Sequence, residues 1–403
     1  MWWWMSPTWT KIATSFLVVS IIGISVWFYP YTDLSGRETV DRWWSRWSLL
    51  IAFLSIVYAF QISKRLHWTV VLPIVSTLLS CAWIFSWKHN QYLYYFPGHK
   101  LGLKYMAAEN AATFLLMLTT LTLMTVSNLR KLVFLFGYLG FANSIYILGG
   151  FFAGYDSYWR VGFITSNASM DACFIAATYP ILIHKTWDDH SPWTLAWAIP
   201  PLAAIILTDT SMGLASLGVV IFVMTYRLVT KGDNRPWVKS SLGVLFVALS
   251  LSLTFSTWTG LVDSSGRGPI WNQAYIFWKA NANYLFGMGQ GSTIVFLPFI
   301  QKHIGGSGFT DGVFGWLHND WLQLIFEQGI IGFSAFALCF GAAFKRAANS
   351  SFLLPVIFVC GFYASGNWPI HFSLHAFFFL LIVVYCFRED HGKYSSHQNG
   401  LLP

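Results

Sequence analysis

His318, Arg160 and Arg267 are the residues of this 403-residue chain whose types and surroundings could do chemistry. His318 opens the run HNDWLQLIFEQGIIGF, which begins like an exposed loop and ends like a buried helix. An imidazole, with an ordinary pKa of about 6.5, can exchange a proton with a substrate at such an edge. A histidine merely resting at an interface is the alternative. Arg160, in YWRVGFITSN, and Arg267, in SSGRGPIW, are each the only base in their immediate neighbourhood. A guanidinium is a permanently charged fork suited to phosphate oxygens, and adjacent glycines would let a bulky diphosphate approach the backbone. An arginine snorkelling from a span end would look the same in sequence. Asp209, in the turn TDTSMG, could orient a substrate hydroxyl or cap the next helix.

Other chemistries find little support. No pair of acids at D-x-D spacing lies on an outer loop, so a divalent metal clamping a diphosphate has no evident ligand set. HFSLH places His371 and His375 four apart but lacks the glutamate of H-E-x-x-H, and reads as packing or interface. G-x-S-x-G and P-loop patterns do not occur. The five cysteines all sit in apolar runs and read as packing residues.

Beyond His318, the same run carries Asp320, Gln323 and Glu327 inward. At 100° per residue these three form one stripe, while His318, Leu322, Ile325 and Gly329 would share a nearly opposite face. Glu327 would lie about 13 Å deeper than His318 by helix rise. It is therefore expected to be structural, partnering the Glu109–Asn110 region or a break in the backbone.

Such polarity is unusual in this chain, which is 56% hydrophobic, 19% aromatic and only 10% charged. That balance cannot cover a water-soluble surface, and windows of about 20 residues, the length of a bilayer crossing, find apolar runs from end to end. Twelve are expected, near 11–29, 47–63, 68–87, 105–127, 131–152, 169–184, 193–208, 211–229, 237–256, 319–343, 352–366 and 370–387. With both termini cytoplasmic, the inner segments hold fourteen bases and five acids, net +9, and the remainder is −1, matching the formal charge of +8. Basic residues resist translocation, so this asymmetry supports the topology. The positive charge then reports orientation and anionic membrane lipid, not nucleic acid.

The expected architecture is an all-α integral membrane protein, 1–403 forming a single polytopic domain with a tail at 388–403. One outer connection, 257–318, is far longer than the others, and connections of that length are usually functional or disordered. It is too aromatic for disorder. From Pro269, the residues Ile270, Trp271, Ala274, Tyr275, Phe277 and Trp278 recur at helical spacing and predict an amphipathic helix lying in the interface. Gly287, Gly289 and Gly291 then break it, and a second amphipathic piece is expected over 292–303.

Taken in order, SGRGPIWNQAYIFWKANANYLFGMGQG followed by HNDWLQLIFEQGIIG resembles the signature of bacterial O-antigen ligases and O-antigen polymerases. YWRVGFITSNASM resembles an earlier arginine and asparagine segment of that family, and the likeness spans about 155–335. One departure is Ser211-Met212-Gly213, where members commonly carry an arginine. The resemblance implies a GT-C-like glycosyltransferase of the bacterial inner membrane, independent of metal and cofactor. It would move a glycan from undecaprenyl diphosphate to an acceptor hydroxyl at the periplasmic face, with inversion. His318 would be catalytic; Arg160, Arg267, Asn167, Asn319, Asp209 and Trp271 would contact substrate. A ligase delivers to the lipid A core and a polymerase to another lipid-linked glycan. One dominant outer loop favours the ligase. A twelve-span transporter or flippase is the competing class, but no halves related by repetition are found.

Overall fold

The computed structural model describes residues 68–86, 118, 121–122, 124–154, 162, 164, 167–188, 194–232, 267–281, 283–293, 296–297, 317–348, 350, 352–366 and 373–388. Among these there is no strand, and every regular element is a helix. The helices are α1 (Trp68–Ser86), α2 (Val126–Phe152), α3 (Ala168–Asp188), α4 (Thr194–Thr208), α5 (Ser211–Gly232), α6 (Arg267–Asn281), α7 (Asp320–Ala347), α8 (Leu353–Gly366) and α9 (Ser373–Arg388). Eight of the apolar runs thus carry a helix. Those at 11–29, 47–63 and 237–256 lie outside the described residues, as does most of 105–127. Among the described helices two, α2 and α7, are long and apolar enough to cross a membrane, and α1, α4, α5, α8 and α9 carry shorter apolar stretches. The figure of twelve rests on the sequence alone.

The contacts divide the chain into two compact units, one of 1–124, 261–339 and 370–380, the other of 125–260, 340–369 and 381–403. The second is built around α3, which packs on α2, α4, α5 and α8. Small residues let these helices approach closely, since apolar surroundings supply no hydrophobic drive and packing must hold them. A Cβ at Gly140 would collide with Thr178, and one at Gly213 would come within 2.5 Å of the Ala172 methyl. The outward positions of α2 are apolar as well: Leu135, Tyr138, Ile145, Tyr146, Phe151 and Phe152 are all exposed. Only 44% of its most apolar stretch is buried, so its other face looks onto something other than this protein's interior.

In the first unit, α6 forms where its spacing predicted. Ile270, Ala274, Phe277 and Trp278 join Met288, Phe296, Leu297, Leu317 and Phe326 in one buried cluster. Tyr275, expected on this face, is instead 56% exposed. At 100° per residue it falls beyond the edge of the arc that Ile270, Ala274, Phe277 and Trp278 bury. The glycines after α6 do break the chain: Gly287, Gly289 and Gly291 have φ of 70°, 100° and 76°.

α7 departs from a regular helix at Gly329, whose φ of 65° and ψ of −164° belong to a region open essentially to glycine alone. A continuous helix would bond the Phe326 and Glu327 carbonyls to the N–H groups of Ile330 and Ile331. Segment 284–289 replaces those bonds. Met288 N–H donates to Phe326 O (2.8 Å) and Gly289 N–H to Glu327 O (2.7 Å). Ile330 N–H donates to Tyr284 O (2.9 Å) and Ile331 N–H to Leu285 O (3.2 Å). Buried backbone groups freed by a helix break must find such partners. The two chains meet so tightly that a Cβ on Gly329 would lie 2.5 Å from Leu285 backbone, and one on Gly287 would lie 2.6 Å from Glu327 backbone. The Gly329→Ala variant is expected to lose about 2–4 kcal/mol, because it combines a forbidden conformation with a backbone collision. Gly341→Ala, where a Cβ meets nothing within 4 Å, is expected to be neutral or slightly stabilising. Thermal unfolding of the two purified variants in detergent checks the contrast.

Candidate functional site

His318 does not lie on α7. The helix begins at Asp320 because Asn319 takes the N-cap position: its Oδ1 accepts from Leu322 N–H (3.0 Å) and its carbonyl from Gln323 N–H (2.9 Å). The helical face projected for His318, Leu322, Ile325 and Gly329 therefore does not form, since the first precedes the helix and the last interrupts it. His318 itself has φ of 54°, the left-handed region that costs a non-glycine residue about 1–2 kcal/mol. Strain of this kind persists only where the surroundings over-determine it.

They do so here. The residue before it, Leu317, is buried and held at both polar groups: its carbonyl accepts the Trp271 indole N–H at 2.6 Å, and its N–H reaches Gln323 Oε1 at 3.4 Å. His318 is bracketed by that pinned peptide on one side and the cap on the other. The ring's Nδ1 is buried although the residue as a whole is only half-buried. Trp271, expected to touch substrate, spends its N–H on the backbone, and its ring packs against the apolar cluster.

The polar stripe behind His318 is buried, with Asp320 and Gln323 at 0% and Glu327 at 2% exposure. Glu327 partners a backbone break, as its depth suggested. Its Oε2 accepts from Gly291 N–H (2.9 Å), and its Oε1 accepts from the Thr293 hydroxyl (2.5 Å) and from Gln323 Nε2 (3.0 Å). Gln323 Nε2 also donates to Thr293 Oγ1 at 2.9 Å. The glycine-rich stretch 287–293 thus does cradle an anion, but the anion is the protein's own carboxylate. Gln328 extends the network to α1: it donates to Gln290 Oε1 (2.7 Å) and to Thr77 Oγ1 (3.4 Å), and accepts from Ser76 Oγ (3.1 Å).

The remaining candidates fall elsewhere. Arg267 begins α6, with its side chain outside the described residues, and Arg160 lies outside them altogether. Asn167 and Asp209 belong to the second unit. Asn167 caps α3, its Oδ1 accepting from Ser169 N–H (3.0 Å) and Met170 N–H (3.2 Å). Asp209 is exposed, with φ of 49°, in the two-residue turn between α4 and α5. The carbonyl that begins α5 is that of Thr210, which accepts from Leu214 N–H (3.0 Å). Met212, standing where an arginine is common in the family resembled, is buried against Gly366 and fills a packing position.

Two polar residues of the second unit escaped the sequence reading. Asp171 is fully buried; its Oδ1 accepts from Asn143 Nδ2 (2.9 Å) and its Oδ2 from Gly162 N–H (3.0 Å). A side chain on Gly162 would collide with Asn143. The carboxylate thereby fixes the backbone two residues after Arg160. An ionisable group inside an apolar run was the available signal. Among the described residues, no group of three or more His, Cys, Asp or Glu side chains could hold a metal.

No protein-family model matches this chain, and no curated protein sequence matches it.

Capping and substrate contact can be separated at Asn319. Asn319→Ala is expected to cost about 1 kcal/mol, while Asn319→Ser or Asn319→Asp keeps a capping oxygen and stays within a few tenths of the parent. Unfolding midpoints of the three variants measure this, and an equal loss in all three would rule out capping as the role of the side chain.

Proposed function

We propose that the chain is an integral-membrane glycosyltransferase that moves a glycan from undecaprenyl diphosphate to an acceptor hydroxyl at the outer face of a bacterial inner membrane. The observation that carries this reading is His318 in a strained conformation between two neighbours, Leu317 and Asn319, that are each held by hydrogen bonds, with one ring nitrogen buried. A residue so fixed at the head of an apolar helix suits proton transfer at a defined point. The membrane setting is supported by two helices of sufficient length and by the apolar outward face of α2. Twelve spans and cytoplasmic termini remain part of the proposal on the strength of the apolar runs and the charge asymmetry.

In this mechanism the acceptor oxygen attacks the anomeric carbon while the bond from that carbon to the diphosphate oxygen breaks. The acceptor's proton passes to the His318 imidazole, and negative charge grows on the departing lipid diphosphate. Arg160 and Arg267 are assigned to that charge, as guanidinium forks are strongest where charge develops in a site shielded from water. A single displacement inverts the configuration. The outer loop that contains α6 favours a ligase acting on the lipid A core.

Purified protein is to be incubated with lipid-linked glycan and either a lipid A core acceptor or none. Glycan attached to the core is expected; lengthened lipid-linked glycan in the absence of core would instead mark a polymerase. His318→Ala is expected to lower transfer by about 10²- to 10⁴-fold with the protein still inserted and folded. Undiminished transfer by that variant removes the catalytic assignment. Arg267→Lys retains the charge without the fork, and full activity there would count against a bidentate phosphate contact.

A further inference from the structure

The Gln323 amide has two ends of nearly the same shape, and only its hydrogen-bond partners decide which way round it sits. On one side it meets the Leu317 N–H, a donor, and on the other the Glu327 carboxylate, which can only accept. The orientation is therefore unique: Nε2 faces Glu327 and Oε1 faces Leu317. Glu327 is held in turn by the Gly291 N–H on one oxygen and the Thr293 hydroxyl on the other. These groups lie in one unit and form a continuous chain, from the glycine-rich loop through Glu327 and Gln323 to the peptide that precedes His318.

We infer that Glu327 is a positioning residue for His318, acting through the orientation of Gln323 and not by contact with substrate. The inference rests on the reading that His318 does the chemistry, but it makes a separate claim about what fixes the imidazole. An amide at 327 must turn its own oxygen to the Gly291 N–H, which leaves its NH₂ facing Gln323. Two NH₂ groups then confront each other unless Gln323 turns over, and turning sets its NH₂ against the Leu317 N–H. The 3.4 Å bond to Leu317 is the longest in the chain and is the one that yields. The glycine loop keeps its anchor, yet the peptide before His318 is released.

Exchanging the two side chains restores every bond. In the double variant Gln323→Glu with Glu327→Gln, a carboxylate at 323 accepts from Leu317 N–H, from the Thr293 hydroxyl and from the new NH₂ at 327. The amide oxygen at 327 accepts from Gly291 N–H.

The test uses the full-length protein in detergent. His318 reactivity toward diethyl pyrocarbonate is followed by mass spectrometry of the peptide that contains it, beside transfer kinetics and thermal unfolding. Glu327→Gln is expected to change the modification rate several-fold and to lower kcat by about 10- to 100-fold with KM little altered, the loss typical of a misplaced group. Gln323→Met, which leaves Glu327 bound to Gly291 and Thr293, gives the same result and serves if Glu327→Gln is not recovered folded. The double variant is expected to return both readouts to within about threefold of the parent, as its hydrogen bonds are again all paired. The inference is overturned if the single variants leave His318 reactivity unchanged, or if the folded double variant is no better than Glu327→Gln. Restored reactivity in the double variant, together with full transfer by His318→Ala, would keep the positioning claim and remove the catalytic one.

Discussion

An α-helix interrupted in apolar surroundings exposes backbone groups that neither lipid nor side chains of the core can satisfy, and the first unit is organised around one such interruption. At Gly329 the helix ladder loses two backbone hydrogen bonds, and the segment after α6 supplies partners for the four groups left open. An unpaired buried backbone group costs about 1–3 kcal/mol, so leaving four unmade would be prohibitive for a fold of ordinary stability. The glycines at 287 and 329 follow from this requirement. Two backbones can exchange bonds at that distance only if neither carries a side chain between them.

The buried carboxylate next to the break belongs to the same solution. Removing an ion from water is expensive unless its oxygens are fully engaged, and Glu327 is met by a backbone N–H, a hydroxyl and an amide. Because two of those donors sit on the glycine-rich loop and the third on α7, satisfying the charge also fixes the loop against the helix and, through Gln323, the residue before His318. The polarity in this helix is thus divided by role. Its deep groups hold the backbone, and the imidazole just before it is the group to which the proposed chemistry is assigned.

The second unit meets a similar problem with fewer polar groups. α3 is buried over most of its length, and Gly140 and Gly213 bring its neighbours close enough for packing alone to hold them. Its one deeply buried acid, Asp171, receives an amide from α2 and a backbone N–H from the connection before α3. Both asparagines singled out beside the candidate groups, Asn167 and Asn319, cap the helices that follow them. Asparagine is preferred at that position because its side-chain oxygen answers N–H groups that the first turn leaves open. This explains why each occurs just before an apolar run, whatever else it contacts.

The sequence by itself determined the all-helical class, the position of α6 and the breaks at Gly287, Gly289 and Gly291. Each follows from local rules: an apolar residue on one face every three or four positions, and glycine where the chain must take positive φ. It also marked Asp320, Gln323 and Glu327 as one stripe, since helix geometry places the three on one side, whereas the helical face drawn for His318 was lost to the cap at Asn319. What it could not contain was the register between segments about forty residues apart. That Glu327 turns to Gly291, that Trp271 reaches the carbonyl before His318, and that Gly329 opens the helix to receive segment 284–289 are pairings of distant groups. Periodicity describes one element at a time, whereas the conformation of His318 is decided by which donors and acceptors the tertiary fold brings within about 3 Å of its neighbours.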